Sequence, residues 1–442
     1  MDESGLRRQL SAAQMAMVAV GGSISTGLLL GSGAAIKIAG PAVLLSFLGA
    51  ALLSYTVAMA LGELACSHPA AGSFGVYGDL YLNPWAGFMA RAGYWSGLAI
   101  SIGAEMIAAA TYMAYWFPGV SAWVWVVIFS SALLLVNLGS VGAFGRFEFW
   151  FAMIKVAAIA AFIVLGASLL LAHRVAPQYT VHGGFFPQGL LAPFLAMTYA
   201  VYSFGGVEMV AVTTGESRSP QDIPRAIRLT FQTLTAIYLG ATIILLGILP
   251  WNSAGTSESP FVTVFRIAGV PAVSHVMNFI VLTAALSGAN AALYICSRML
   301  FSLSRTGWAP DALGRVNAAG SPRAAVLVSG FGIVIAFALS LGSQANALRY
   351  LIGGSFTGLI TSWLVSLAAH ISFRRRKTAE EIAALPLRSP LGLWGSAVGF
   401  ALAALATIQT WLSPPANFYS GMAYVVLLTG IYLVVKRRRA TQ

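Results

Sequence analysis

The chain has 442 residues, of which 58% are hydrophobic and only 9% are charged. A soluble domain carries about 25% charged residues, so this composition excludes a water-soluble globular protein and indicates a chain that lies mostly in lipid. The net charge of +12 does not indicate nucleic-acid binding, because the basic residues lie in short segments between apolar stretches and in the C-terminal segment, where topology signals lie.

Twelve apolar segments follow one another along the chain. Each is close to the roughly 20 residues that a helix needs to cross the hydrocarbon layer, and their uniform apolarity argues against a barrel of alternating strands. The polar stretch Met1–Gln9 shows no cleavable signal pattern, so the first span is expected to be retained. The predicted spans are 13–36, 41–64, 86–115, 121–138, 148–171, 188–214, 228–250, 271–300, 323–341, 346–372, 390–412 and 417–435.

The basic residues predict the orientation of these spans. If both termini are cytoplasmic, 20 of the 25 Lys and Arg residues lie on the cytoplasmic side. Four lie outside (Lys37, Arg174, Arg266 and Arg349), and Lys155 lies within a span. Because cytoplasmic loops are enriched in Lys and Arg, this bias predicts a multi-pass protein of the cell membrane, inner or plasma, with both termini in the cytoplasm.

Two segments between spans are distinctive. Residues 67–85 are rich in Gly, Pro and Tyr, which predicts a short interfacial helix or a re-entrant stretch on the cytoplasmic side. Residues 371–389 contain four consecutive basic residues, Arg374 to Lys377, and form the longest polar stretch between spans. We interpret 371–389 as a solvated loop that anchors the topology, with a regulatory or lipid contact as the alternative.

Two spans contain clustered helix breakers near their middles. The first reads Gly21-Gly22-Ser23-Ile24-Ser25-Thr26-Gly27, and the sixth reads Phe204-Gly205-Gly206-Val207-Glu208. They occupy matching positions in two five-helix halves, a pattern typical of the binding site of an inverted-repeat transporter. Unwound backbone there exposes polar groups, and the positive ends of half-helices hold carboxylates. The alternative is that the glycines serve close helix packing.

Ionisable residues inside spans cost about 2.5–3.5 kcal/mol at the membrane centre, so they are functional candidates. Lys155 in the fifth span is a candidate proton-coupling group, or else extends to the interface. Glu105 in the third span is a candidate proton carrier or amine partner, or else a protonated acid that ties helices together. Glu208 follows the second break and is a candidate for both proton coupling and amine binding, or else caps the broken helix.

Other polar and aromatic residues give weaker signals. Tyr202 and Phe204 frame the second break and either close over a substrate or simply pack. Ser287 and Asn290 on the eighth span either approach Lys155 or hydrogen-bond between helices.

The sequence offers no sign of an enzyme. Cys66 and Cys296 form no disulfide framework or metal-binding spacing, and the five histidines do not cluster. A phosphate-binding Gly-Lys loop is also missing. We therefore expect no metal and no cofactor.

Several motifs, in order along nearly the whole chain, give the sequence a family resemblance. They are Gly22 to Leu28 with Gly31-Ser32-Gly33, Ala39-Gly40-Pro41, Gly62-Glu63, Gly72-Ser73-Phe74, Glu148-Phe149-Trp150 with Ile154-Lys155-Val156, Phe204 to Glu208, Ile223 to Ala226, Ser297 to Leu303, and Gly307 to Pro310. The chain resembles the amino acid transporter (amino acid permease) branch of the amino acid–polyamine–organocation superfamily.

The resemblance implies an all-α, single-domain fold of twelve transmembrane helices. In this LeuT-like arrangement two inverted five-helix repeats (13–171 and 188–372) precede two extra helices (390–435), and helices 1 and 6 are broken. It also implies proton-coupled uptake of an amino acid, with the proton as coupling ion. Lys155 matches the position at which sodium-driven relatives bind sodium.

The same resemblance implies where the substrate binds. The carboxylate would be held by the first break, from Ser23 through Ile24, Ser25 and Thr26 to Gly27, and the amine by the second break. Ser25 stands where the family usually has glycine, so the particular amino acid is not inferred from a relative. An exchanger without net proton flow is one alternative, and a non-transporting amino acid sensor is another.

Overall fold

The computed structural model describes residues 11–68, 73–138, 144–212, 217–219, 221–317, 322–412 and 415–440, and within these residues all regular secondary structure is helical. The predicted polar N-terminal stretch, Met1–Gln9, lies outside the described residues.

The first apolar segment is divided into three helices. These are α1 (Ala12–Ser23), α2 (Thr26–Leu29) and α3 (Gly31–Ala39). Ser11 starts α1 with a capping box, in which its hydroxyl accepts from the Gln14 amide. Ile24 and Ser25 are extended, so the helix is interrupted at the glycine- and serine-rich stretch that the sequence singles out.

Five more helices complete the first half. They are α4 (Val43–Ser67), α5 (Ser73–Tyr81), α6 (Pro84–Ala114), α7 (Ala122–Leu138) and α8 (Phe144–Leu171). Asn83 caps α6 through its side chain, and Pro84 occupies the first turn, where no N–H is needed. The helix α5 lies within the segment 67–85, in which a short helix is one of the two predicted forms; residues 69–72 of that segment lie outside the described residues.

The second half begins with the same order of elements. It contains α9 (Ala192–Leu195), α10 (Met197–Ser203), α11 (Met209–Val212), α12 (Asp222–Ile248), α13 (Pro260–Ile267), α14 (Pro271–Arg305), α15 (Arg323–Ser329), α16 (Phe331–Ser340) and α17 (Gln344–Arg376). A divided segment, a long helix, a short helix and a second long helix appear in both halves, with α5 and α13 in matching places; the second half then has two short helices, α15 and α16, where the first half has α7.

Three further helices follow α17. They are α18 (Ala379–Ala383), α19 (Gly392–Leu412) and α20 (Pro415–Ala440). The prediction of a plain loop over 371–389 is wrong in part, because α17 continues to Arg376 and Thr378 starts α18 with a capping box to Glu381. Glu381 is also 2.6 Å from the ammonium of Lys377, and this hydrogen bond lowers the pKa of the Glu381 carboxyl.

The helix α6 lies at the centre of the bundle, between α14 and α17. Glycines allow its backbone to approach α17 closely: a Cβ at Gly97 would lie 2.9 Å from the Ser355 carbonyl oxygen and 3.0 Å from the Gly358 Cα. Small residues at helix interfaces are typical of helix packing in lipid.

In the part of the chain that the structure describes, eight helical segments are long and apolar enough to cross a membrane. They are Gly31–Ser67, Pro84–Ala114, Trp150–Leu171, Asp222–Ile248, Pro271–Arg305, Arg323–Ser340, Gln344–Arg376 and Gly392–Trp411. Large apolar side chains such as Leu171 and Trp394 are exposed on their outer faces, as expected for surfaces in contact with lipid. The chain is a multi-pass membrane protein.

Candidate functional site

The two interrupted segments contact each other at their breaks. Gly206 has a φ of +109°, and a Cβ there would lie 3.0 Å from the Ser23 nitrogen and 3.1 Å from the Ser23 Cα. A Cβ at Gly27 would lie 2.8 Å from the Ser203 Cα. The glycines therefore serve two purposes, since they permit the unusual backbone and also allow the two breaks to touch.

A cavity with an empty volume of about 510 Å³ lies beside these breaks. Its walls come from α1, α6, α10, α11, α14 and α17 and from the residues between them. The lining residues are Gly22, Ser25, Tyr94, Gly97, Leu98, Ser101, Glu105, Tyr202, Gly205, Gly206, Glu208, Met209, Gly288, Ala292, Ser355 and Leu359. A small cavity with backbone and a few polar groups converging on it is typical of a small-molecule site.

Glu105 reaches from α6 to the first break. Its side chain is buried, and its carboxylate accepts hydrogen bonds from the Thr26 backbone N–H at 3.3 Å and from the Thr26 hydroxyl at 2.5 Å. Thr26 begins α2, so the carboxylate satisfies an N–H that has no partner within the helix. The positive end of the short helix also favours a negative charge at this place.

Lys155 reaches from α8 to the other side of the same break. It is only 2% exposed, and its ammonium donates to the Gly21 carbonyl oxygen at 2.8 Å, in the last turn of α1. The side chain thus points into the protein and does not extend to the membrane surface. It also attracts the Glu105 carboxylate. A cation at the end of α1 and an anion at the start of α2 complement the two half-helix dipoles.

Glu208 is held at the second break. Its two oxygens each accept from the Gly206 N–H at 3.0 Å, and the Trp363 indole N–H donates to it at 3.3 Å. The Tyr94 hydroxyl is buried and lies beside this carboxylate, but the two groups do not have the geometry of a hydrogen bond. Glu208 also lines the cavity, so it both caps the break and lies beside the space that a cationic group could occupy.

The structure divides the predicted substrate-binding residues into two groups. Ser25, Tyr202, Gly205, Gly206 and Glu208 line the cavity. The remaining predicted residues, Ser23, Ile24, Thr26, Gly27 and Phe204, are buried around it without forming its wall.

The members of the second group hold the break in place. The Ser23 carbonyl accepts from the Tyr238 hydroxyl at 2.7 Å, and the Phe204 ring packs edge-on against Tyr238 at 4.8 Å. On α14, Asn290 accepts from Asn137 of α7 at 2.8 Å, which is a contact between helices, and Ser287 is buried.

Sequence reasoning missed several lining residues that carry a recognisable spacing. On α6, Gly97, Ser101 and Glu105 lie four residues apart and therefore on one helical face. On α17, Ser355 and Leu359 have the same spacing. Gly97 and Ser101 could therefore have been identified from the sequence, because they lie on the same face of α6 as Glu105.

Glu63, near the C-terminal end of α4, belongs to a different cluster. The buried Glu63 carboxylate accepts from Arg374 at 2.7 Å, from His370 at 3.0 Å and from the Ser389 N–H at 3.2 Å. His370 in turn bonds to Ser396 of α19 at 2.7 Å. This network ties α4, α17 and α19 together. Among the described residues, no group of three or more His, Cys, Asp or Glu side chains is arranged to hold a metal ion.

Spanning helices around a small polar cavity, bordered by two interrupted helices, define a polytopic membrane transporter. The family model for "Amino acid permease" matches residues 14–441. The chain is 34% identical to an uncharacterized amino acid permease, YtnA, of Bacillus subtilis (strain 168), over 97% of this chain and 94% of the relative.

Two further relatives have more specific names. The chain is 34% identical to the aromatic amino acid transport protein AroP of Escherichia coli (strain K12), over 97% of this chain and 94% of the relative. It is 33% identical to the gamma-aminobutyric acid permease of Bacillus subtilis (strain 168), over 100% of this chain and 96% of the relative. The resemblance is confirmed: the chain belongs to the amino acid permease family, whose members named here are transporters and not enzymes.

Proposed function

We propose that this protein takes up an amino acid together with protons, by alternating access, across the cell membrane. The observation that carries the proposal is the first break, where Glu105 binds the start of α2 and Lys155 binds the end of α1. Two buried, oppositely charged groups thus hold the two half-helices that border the cavity. A change in the protonation of Glu105 or Lys155 therefore alters the hydrogen bonds that hold these half-helices in place.

The proposed topology has twelve spans, with both termini in the cytoplasm. The repeated order of elements in 12–171 and 192–376 supports two five-helix repeats, with α19 and α20 added. The excess of Lys and Arg on one side supports the orientation. The whole chain then forms one transmembrane domain.

The substrate is proposed to lie across the two breaks. Ser25 faces the cavity from the first break, and its hydroxyl can donate to a carboxylate. Glu208 and the backbone of Gly205 and Gly206 face it from the second break and suit an ammonium group. Tyr202 lines the same cavity, opposite Ser355 and Leu359 of α17, which suits a residue that closes over the substrate.

Glu105 and Lys155 are proposed to couple the proton to transport. The hydrogen bonds from Thr26 to the Glu105 carboxylate are charge-assisted, and such bonds contribute about 1.5–3 kcal/mol each. Protonation of Glu105 weakens both bonds, and deprotonation of Lys155 weakens its hold on the Gly21 carbonyl. Either event frees α1 and α2 to move relative to α6 and α8, which changes the side from which the cavity is open.

The substrate is best identified before the coupling is measured. A thermal-shift screen of the purified protein with the common amino acids and small amines identifies compounds that bind the native state, because such binding raises the apparent stability. Aromatic amino acids and γ-aminobutyrate are the first candidates, since two relatives are named for their transport.

Proton coupling is tested by proton flux in proteoliposomes. Substrate-dependent acidification is expected with the wild-type protein and is lost in Lys155→Ala. Lys377→Ala serves as the matched control, because the Lys377 side chain is half-buried and pairs with Glu381 away from the cavity. Exchange of labelled substrate without acidification would show an exchanger instead. Binding without any uptake would show a sensor.

The site assignment is tested by two conservative variants. Glu105→Gln and Glu208→Gln preserve the size of each side chain but remove its charge, so we expect impaired uptake at normal expression. If both variants accumulate substrate as the wild type does, the assignment of these carboxylates is wrong.

A further inference from the structure

A second and larger cavity, with an empty volume of about 1250 Å³, lies at the opposite end of α3 from the first break. We call it the vestibule. Its lining comes from α3, α9, α10, α17 and α19 and from the segment before α13: Ala34, Lys37, Ile38, Leu195, Thr198, Tyr199, Gly255, Thr256, Ala345, Asn346, Leu348, Arg349, Ile352, Gly353, Gln409 and Thr410. In the proposed topology the vestibule opens to the outside.

The charged lining of the vestibule is entirely basic. Lys37 and Arg349 line it, and none of the lining residues is Asp or Glu. The Lys37 ammonium donates to the Asn252 carbonyl, which holds the lysine at the rim. Within the described part of the chain, no carboxylate pairs with Arg349, whereas Arg266 is neutralised by Glu258 at 2.8 Å. The vestibule therefore carries a positive potential.

Hydrogen-bonding groups form one wall of the vestibule. The Thr198 hydroxyl donates to the Gln409 amide oxygen at 2.9 Å and lies 2.6 Å from the Thr410 hydroxyl. The first turn of α17 contributes Ala345 and Asn346, so the positive end of that helix also faces the vestibule. The wall suits a small polar molecule, because its hydroxyl and amide groups lie beside the positive end of a helix.

One helical turn separates the vestibule from the central cavity. Tyr199 lines the vestibule and Tyr202 lines the central cavity, and Ile352 and Ser355 are related in the same way on α17. Three residues along a helix span about 4.5 Å. A Cβ at Gly31 would lie 3.6 Å from both Tyr199 and Ile352, so these side chains converge where α3 begins.

The charged side chains that line the two cavities have opposite signs. Lys37 and Arg349 line the vestibule, whereas Glu105 and Glu208 are the charged residues that line the central cavity. A zwitterion in such a field is oriented with its carboxylate towards the cations and its ammonium group towards the carboxylates. An amino acid would thus arrive at the central cavity with its ammonium group first.

We propose that the vestibule is a capture site for the carboxylate of the substrate, with Lys37 and Arg349 as its specificity-determining residues. The inference rests on the proposed function, because it assumes that amino acids enter from this side. The vestibule raises the local concentration of carboxylate-bearing molecules and orients them before the side chains between the two cavities move apart. It takes no part in the translocation step.

The proposal is tested by uptake kinetics at low ionic strength. Charges at the rim of a binding site act mainly on the association rate, so Arg349→Gln and Lys37→Gln are each expected to lower kcat/KM about threefold with kcat unchanged, and the double variant by about tenfold. Arg174→Gln is the matched control, because Arg174 is exposed on the same proposed side but does not line the vestibule. The Debye length falls from about 10 Å at 0.1 M salt to about 3 Å at 1 M, so high salt should remove the difference.

The chemical specificity of capture is tested by competition. L-Phenylalanine and its carboxamide are the first pair of probes, and the inhibition constant of the carboxylate form alone should rise in Arg349→Gln. A fall in kcat/KM equal to that of Arg174→Gln, or a fall that persists at high salt, would overturn the proposal. Uptake by the wild type and kcat in the variants test the proposed function. The change in kcat/KM and its salt dependence test the capture site. Failure of one proposal can therefore be distinguished from failure of the other.

Discussion

The contact between the two helix breaks can be tested at Gly206. Gly206→Ala adds one methyl group at a residue with a φ of +109°, a conformation that residues with a Cβ rarely adopt. The new Cβ would lie 3.0 Å from the Ser23 nitrogen and 3.1 Å from the Ser23 Cα. Both are backbone atoms that cannot rotate away, so the two breaks must separate.

Two costs contribute to the expected effect. A strained backbone conformation costs about 1–3 kcal/mol, and an extra methyl group in a well-packed interior costs about 1–3 kcal/mol. We therefore expect Gly206→Ala to lower the free energy of unfolding by roughly 2–6 kcal/mol. The entropy of unfolding is about 2.1 cal/mol/K per residue, so a chain of this size loses about 1 °C of apparent Tm per kcal/mol and the Tm falls by about 2–6 °C.

The assay combines thermal unfolding of the purified protein with uptake in proteoliposomes. Gly430→Ala is the control, because Gly430 lies in α20 and a Cβ there meets nothing within 4 Å. Gly206→Ala should lower both the Tm and the uptake, because the Gly206 N–H also holds the Glu208 carboxylate at 3.0 Å. If Gly206→Ala has the Tm and the uptake of Gly430→Ala, the contact between the breaks is not as described.

Three further variants test the surroundings of the site. Gly97→Ala forces α6 away from α17 and should lower the Tm by an amount equivalent to about 1–3 kcal/mol; an unchanged Tm would contradict the close approach. Glu63→Gln removes the charge that holds Arg374 and should cost about 1.5–3 kcal/mol in thermal unfolding, whereas a stability equal to the wild type would show that the network is dispensable. Tyr238→Phe leaves the Ser23 carbonyl without its 2.7 Å hydrogen bond and should cost about 1–3 kcal/mol, together with weaker binding in the thermal-shift screen; unchanged binding would exclude a role for this bond in shaping the site.

Part of the fold follows from local sequence properties. Long apolar segments form helices in lipid because the backbone must satisfy its own hydrogen bonds there. The helices of the structure therefore coincide closely with the predicted segments. The predicted span 346–372 is shorter than α17, because the last turns of α17 are basic and the apolar pattern ends before Arg374.

The interruptions were also visible in the sequence. Glycine and serine at matching positions in two halves are a local signal, and the structure interrupts the helix at Ser25 and again around Gly206. The same reasoning singled out Lys155 and Glu105, because ionisable side chains are rare where the chain is otherwise apolar.

What the sequence by itself determined is the membrane location, the helical fold, the family and the positions of the unusual residues, all of which depend on composition and local pattern. Only the tertiary structure decided that Glu105 binds Thr26 and that Lys155 binds Gly21, 79 and 134 residues apart along the chain. It also decided that Ser25 faces the cavity while Thr26 does not. Partners at such separations are set by how the helices pack, and a helix carries no local signal of which neighbour its polar face will meet.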